Sequence, residues 1–402
     1  MKVLHITAYI TGGAGIAVKR LHEALLEKGM DSKILCLFAL EENLTPEIYQ
    51  LHQSRSFSSR VLSKLKLDKN SRLTKGLHGD YEAFTFPFSH YKVHLHPLVS
   101  QADIIHLHWI SDFVDIPSFF SAVKKPMVWT AHDLNPILGG FHYEQDVYRN
   151  PSFSRAEESL KKEKHSAITA AGVHFIGSSQ LTVDKIKAYL PEVGCTKIPC
   201  ILDTVNFIPI DKKIAKNALN INEHVILLGT GADDLGNYRK GYWLLQKAIG
   251  KLTEAEKKRV KIISFGASKS NQGDSGNPEH LRFQPIHDKR IHSLVYSAMD
   301  YFIIPSTEET FGLTGTEALL CNTPLISSRT GGMIDYITEG KNGFLFDPMD
   351  ADRLVEKIKL AITAYNEAPI TDARSSILEW YKKEAPLEKH ITLYENILCG
   401  NN

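Results

Sequence analysis

The chain is 402 residues long, with 43% hydrophobic and 23% charged residues and a formal net charge of +1. That length exceeds what one ordinary core supports and predicts two domains. The near-neutral balance excludes a dedicated nucleic-acid binder, which would carry a strong basic excess.

Five cysteines (Cys36, Cys195, Cys200, Cys321 and Cys399) are scattered, odd in number and without zinc-like spacing, so thiols in a reducing compartment are expected. The start, Met1-Lys-Val-Leu-His-Ile-Thr, turns polar too quickly for a signal peptide and reads as a strand. No apolar run approaches the roughly 18 residues of a membrane span. A cytoplasmic protein is expected.

Short β-rich apolar runs alternate with longer amphipathic stretches, the pattern of parallel sheets crossed by helices. Strands are predicted at Lys2–Thr7, Ser32–Phe38, Ile104–Trp109, Pro126–Thr130 and Val173–Gly177 in the first half. In the second half they are predicted at His224–Gly229, Val260–Phe265, Tyr301–Pro305, Pro324–Ser327 and Gly343–Phe346. Helices are predicted between them, among them Gly15–Lys28, Tyr242–Leu252 and Arg353–Asn366. The turn-rich stretch Asp203–Asp211 marks the boundary. Two Rossmann-like domains follow, 1–205 and 206–379, with the amphipathic stretch Ile377–Leu398 expected to return to the first as a helix over about 380–402. In such open sheets, ligands sit outside the carboxyl ends of the strands.

Ser54–Lys75 breaks this pattern, with Arg55, Arg60, Lys64, Lys66, Lys69, Arg72 and Lys75 against the lone acid Asp68. Phe57, Val61, Leu62 and Leu65 fall at helical spacing there. Two readings stay open: a solvated surface excursion, or a basic amphipathic helix on anionic lipid at the inner face of the membrane.

Gly12-Gly13-Ala14-Gly15 follows the first strand and opens a helix, where glycines let backbone approach a ligand closely. It is not a Gly-x-Gly-x-x-Gly fingerprint, and no acidic residue ends the second strand, so a nicotinamide enzyme is disfavoured. His106 and His108 alternate with apolar residues along one strand, and His106 reads as structural. His132 follows a strand at a carboxyl end and reads as a functional candidate.

Arg239-Lys240 precedes a helix after the polar loop Gly231–Tyr238, where loop cations can meet a phosphate. The densest signal is 305–320. An apolar strand runs into Glu309, the turn Phe311-Gly312-Leu313-Thr314, and a helix carrying Glu317. Strand, glycine turn and helix N-terminus hold phosphate on free backbone N–H groups, and two carboxylates suit a ligand that also has hydroxyls. No His/Cys/Asp cluster along the sequence has metal-ligand spacing, so no metal is expected.

Glu309 and Glu317 around Phe311-Gly312-Leu313, with Thr323-Pro324, Gly331-Gly332 and Asn342-Gly343-Phe344-Leu345 in order, resemble retaining glycosyltransferases of the glycogen-synthase-like family four, of the bacterial polysaccharide-building type. The resemblance covers nearly the whole chain. It implies an α/β protein of GT-B architecture, two facing Rossmann-like domains with a deep interdomain cleft, the first binding acceptor and the second nucleotide sugar. It implies a UDP- or GDP-linked sugar as donor, a glycan or lipid-diphosphate-linked acceptor, and no cofactor.

By that resemblance Glu309 contacts the donor sugar, and Phe311, Gly312, Leu313 and Thr314 meet sugar and diphosphate oxygens. Glu317 takes the ribose hydroxyls, Lys240 the diphosphate, and His132 faces the donor sugar, with Gly12, Gly13, Ala14 and Gly15 lining the diphosphate. The family's Gly-Arg pair is replaced by Gly229-Thr230, leaving Arg239 as the candidate substitute. Two other readings stay open: a sugar-nucleotide epimerase on the same architecture, and a non-catalytic sugar-nucleotide-binding protein.

Overall fold

The computed structural model describes residues 1–40, 43–52, 70, 73–267 and 279–400. Apart from residues 70 and 73–75, the basic stretch Ser54–Lys75 lies outside them. The chain divides into two compact units, Met1–Ile201 with Pro386–Asn402, and Leu202–Ala385. The five cysteines are free thiols. Among the described residues, no helix is long and apolar enough to cross a membrane.

The first unit holds strands β1 (Lys2–Tyr9), β2 (Asp31–Phe38), β3 (Ile48–Gln50), β4 (Ile104–Leu107), β5 (Met127–Ala131), β6 (His174–Gly177) and β7 (Cys195–Lys197). They form one sheet in the order β3-β2-β1-β4-β5-β6-β7, and every pairing is parallel. Parallel sheets are covered on both faces, so their strands are apolar throughout rather than alternating with polar residues. Alternation here sorts residues between two cores. Leu4, Ile105 and Trp129 join one cluster, and their neighbours Val3, Ile104 and Val128 join the other. The second cluster includes Leu393, Tyr394 and Ile397 of the C-terminal helix Pro386–Leu398, and this apolar contact is what brings the end of the chain back to the first sheet.

The second unit holds β8 (Ile226–Asp234), β9 (Val260–Ala267), β10 (His280–Phe283), β11 (Tyr301–Ile304), β12 (Leu325–Ser328) and β13 (Gly343–Phe346). Their order is β10-β9-β8-β11-β12-β13, again all parallel. The chain order reverses at β8, so the β8/β11 junction is the switch point where such sheets open a crevice at their carboxyl ends. The opposite edge of β8 and β11 is fixed by Asp300. Its carboxylate accepts from Lys216 Nζ at 2.7 Å, Leu227 N at 2.8 Å and Lys212 Nζ at 3.1 Å.

Three observed strands escape the sequence reading: β3, β7 and β10. Each is an edge strand of three or four residues with mixed burial, so none carries a continuous apolar run. β8 also runs on through Ala232 to Asp234, where a loop was expected, because a register irregularity between Gly231 and Asp234 lets a polar segment stay paired with β9. The helix of the first unit starts at Gly12 rather than Gly15. The stretch Ile377–Leu398 is not one helix but parts of two, Ala373–Glu384 and Pro386–Leu398, broken at Ala385 with φ 42°, since the residue before a proline disfavours helical backbone.

Asp300→Ala leaves Lys216, whose side chain is 1% exposed, buried without a counter-charge. Unfolding in urea is expected to show a loss of about 3–5 kcal/mol; a loss below about 1 kcal/mol contradicts the pairing.

Candidate functional site

At the carboxyl end of β8, the turn Tyr238–Lys240 is fixed from three sides. Asn237 Oδ1 accepts from Arg239 N at 2.9 Å. Trp243 Nε1 donates to Tyr238 O at 3.0 Å, with the two rings stacked 5.1 Å apart. Gly241 follows with φ +69°, and a Cβ on it would strike the Pro305 carbonyl. Only glycine lets this turn lie against the end of β11. The contact is closed by Thr307 N, which donates to Arg239 O at 2.7 Å.

This arrangement puts two cations on one carboxylate. Glu309 Oε1 accepts from Lys240 Nζ at 2.6 Å, Arg239 at 3.2 Å and Ser306 Oγ at 3.1 Å. Arg239 also donates to Glu308 O at 3.1 Å, and Glu309 N donates to Thr330 Oγ1 at 3.2 Å. Burial alone would raise the Glu309 carboxyl, but the charges of Lys240 and Arg239 and the bonds from Lys240 and Ser306 outweigh it and hold it at about 2. Glu309 is therefore an anion in the ordinary pH range, with Lys240 still 28% exposed beside it.

The helix Leu313–Leu320 begins four residues on. Its N-cap is Gly312 at φ 85°, it has no side-chain cap, and no acid lies in its first turn. A Cβ on Gly312 would meet the Met333 sulfur, and Tyr336 Oη donates to Gly312 O at 3.0 Å. The first turn thus keeps N–H groups available for an anion. Phe311 is buried, Leu313 and Thr314 are half-buried, and Glu317 is 7% exposed within the helix.

Of the predicted residues, Glu309, Lys240 and Arg239 meet directly, and 311–317 continue from them. Thr230, standing at the family's arginine position, is buried inside β8 and offers no charge. Sequence reasoning missed Ser306 and Thr330, the two hydroxyls that orient Glu309. Ser306 immediately after the strand-ending Pro305 was the signal for the first. The single Asp-x-Asp of the sequence, Asp350-Ala351-Asp352, is a helix cap: Asp350 Oδ1 accepts from Asp352 N and Arg353 N at 3.0 Å each.

In the first unit, Gly12 at φ 68° opens the helix Gly12–Glu27, whose N-cap Thr11 makes no side-chain bond. Gly12 and Gly13 are exposed, Ala14 is half-buried and Gly15 is buried, where a Cβ would strike the Ile10 backbone. His132 is half-buried after β5, and its Nε2 bonds His108 Nδ1 at 3.0 Å. His106 is a satisfied core residue, bonded to Tyr394 Oη and Thr130 Oγ1 at 2.7 Å each. His108 lies just past the end of β4 rather than inside it. Asp133, which follows His132, accepts from Trp109 Nε1 at 2.8 Å and His142 Nδ1 at 2.6 Å. Strands β1 and β4 bring His5, His106 and His108 together with ring nitrogens within 4.8 Å of one another, a cluster that no spacing in the sequence signals.

Residues 213–374 match the family model described as glycosyl transferases group 1. A D-inositol 3-phosphate glycosyltransferase of Corynebacterium efficiens is 25% identical over 271 residues, covering 62% of this chain and 60% of that protein. The match thus spans less than two thirds of that relative's length. Sucrose-phosphate synthase of Thermosynechococcus elongatus superposes with a TM-score of 0.71 at 18% identity, covering 100% of both chains. HepE of Anabaena, solved with UDP-glucose, superposes with a TM-score of 0.61 at 16% identity over 98% of each chain. The fold is GT-B.

Because Lys240 and Arg239 are the opposing charges, Lys240→Met is expected to raise the Glu309 carboxyl from about 2 toward the ordinary 4.5 in a 13C NMR titration. The folded value lies below the unfolded one, so the stability it contributes is complete above about 4.5 and lost as pH falls towards about 2. A carboxyl unmoved by Lys240→Met contradicts the pairing.

Proposed function

We propose that this chain, whose residues 213–374 match the group 1 glycosyltransferase model and whose fold is GT-B, moves a sugar from a nucleoside diphosphate to an acceptor hydroxyl. The observation that carries this reading is Glu309 held by Lys240 and Arg239 at the β8/β11 switch point, beside the uncapped N-terminus of Leu313–Leu320. Two cations with a row of free amides suit a diphosphate. A fixed carboxylate suits sugar hydroxyls.

In this reading the diphosphate draws Lys240 and Arg239 from Glu309, which turns to the sugar, and Glu317 takes the ribose. Phe311, Gly312, Leu313 and Thr314 supply backbone N–H groups. The cations and amides then stabilise the charge that develops on the leaving diphosphate. Transfer proceeds with retention. The glycosidic bond to the diphosphate breaks first, the acceptor oxygen forms its bond on the face just vacated, and a phosphate oxygen takes the acceptor's proton. No protein nucleophile is required. The first unit is assigned the acceptor, a glycan or lipid-diphosphate-linked chain in surface polysaccharide synthesis, with Gly12, Gly13, Ala14, Gly15 and His132 turned to the donor. UDP is favoured as the nucleotide by likeness to HepE, which was solved with UDP-glucose.

Lys240→Ala is expected to cut sugar transfer about 100- to 1000-fold, as loss of one well-placed stabilising donor does, with the melting temperature little changed. Full transfer activity in that variant overturns the assignment. Conversion of a nucleotide sugar to a new one without acceptor would instead identify an epimerase.

A further inference from the structure

The apolar residues Val3, Ile104 and Val128 line one face of the first sheet. One pleat nearer the carboxyl ends, that face carries His5, His106 and Thr130, all buried. His5 continues into a row of imidazoles. His5 Nδ1 lies 2.9 Å from His108 Nε2, and His108 Nδ1 lies 3.0 Å from His132 Nε2. His5 and His108 are 0% and 3% exposed, and His132 is the half-buried end. We infer that His5 and His108 are positioning residues that fix the tautomer of His132, leaving its proton on Nδ1.

The reasoning is one of hydrogen-bond direction. A neutral imidazole has one N–H donor and one bare acceptor nitrogen. His108 commits both nitrogens to neighbouring imidazoles, so it donates one way and accepts the other, and the row is polarised head to tail. Only two directions exist. If His132 donates inward from Nε2, His108 donates from Nε2 to His5 Nδ1, and the last proton sits on His5 Nε2. That atom is buried and has no partner among the described residues. In the other direction His5 donates outward from Nδ1, His108 donates from Nδ1 to His132 Nε2, and His132 keeps its proton on Nδ1. Only a lone pair is then stranded at His5 Nε2, and an orphaned buried N–H is the rarer and costlier of the two.

The row is held neutral. Burial, with the neighbouring imidazoles adding to it, keeps His5 and His108 well below the ordinary histidine value. His106 takes no part, since Tyr394 and Thr130 use both its nitrogens. The same bonds argue against a metal at His5, His106 and His108, because both nitrogens of His106 and of His108 are already spent on hydrogen bonds, leaving His5 Nε2 alone.

The tautomer stands independently of the proposed activity; its consequence rests on it. His132 would give a hydrogen bond to its ligand rather than take a proton. The test is a long-range 1H–15N correlation spectrum of the full chain with 15N-labelled histidine, with His132 assigned by the signals lost in His132→Asn. The expected spectrum shows His132 protonated at Nδ1 and bare at Nε2. In His108→Phe that preference relaxes to a mixture, and in His108→Gln, whose amide can donate to Nε2, it returns. A wild-type His132 protonated at Nε2 overturns the inference, as does an unchanged tautomer in His108→Phe. One tightly held equivalent of added zinc that shifts His5 and His106 also overturns it. If the tautomer behaves as expected but wild type and His108→Phe transfer sugar equally well, the relay stands and the donor-sugar role of His132 falls.

Discussion

A single carboxylate shared by two cations organises the second unit. Glu309 takes Lys240 and Arg239 at 2.6 and 3.2 Å, and those groups arrive from the ends of different strands. A mostly buried carboxylate is costly unless paired and hydrogen-bonded, and here both conditions are met, with Ser306 Oγ donating to it. The pairing demands that the turn after β8 press against the end of β11. That closeness in turn demands glycine at 241. Backbone geometry, charge balance and the position of the uncapped helix are therefore one constraint seen at three scales. An incoming anion can replace Glu309 as the partner of the same cations, provided that other donors, such as the hydroxyls of a ligand, then take up its carboxylate.

The first unit uses the same scaffold with different chemistry. A glycine opens its first helix without a side-chain cap, and the strand ends beside it carry a row of buried, hydrogen-bonded imidazoles. Burial keeps His132 low, at about 4. Below its own helix termini, then, this unit offers directed hydrogen bonds, whereas the second offers charge. In the proposed reaction, that division serves orientation of hydroxyls on one side and neutralisation of a leaving diphosphate on the other.

Local features were legible in the sequence and long-range ones were not. The stretch 301–320 announces itself because strand, glycine turn and helix succeed one another within twenty residues or so, and the periodicity changes where the backbone does. The interior strands are equally visible, since burial on both faces leaves each mostly apolar. The edge strands β3, β7 and β10 have one partner, mixed burial and no such run. The partners of Glu309 are another matter. Lys240 lies 69 residues away, and as an isolated Arg-Lys pair it looks like any solvated surface. His5 and His108 are 103 residues apart, joined only by the parallel β1/β4 pairing, so their row exists only once register is known. Thr330, 21 residues from Glu309, went unread for the same reason.

In the proposed reaction, Lys240 and Arg239 are held by Glu309 until a diphosphate takes them. A 13C titration of the Glu309 carboxyl with and without saturating UDP, or GDP if UDP fails to bind, checks this exchange. A carboxyl near 2 in the free protein is expected to move up when the nucleotide draws the cations away. A nucleotide that binds and leaves the carboxyl where it was would contradict it.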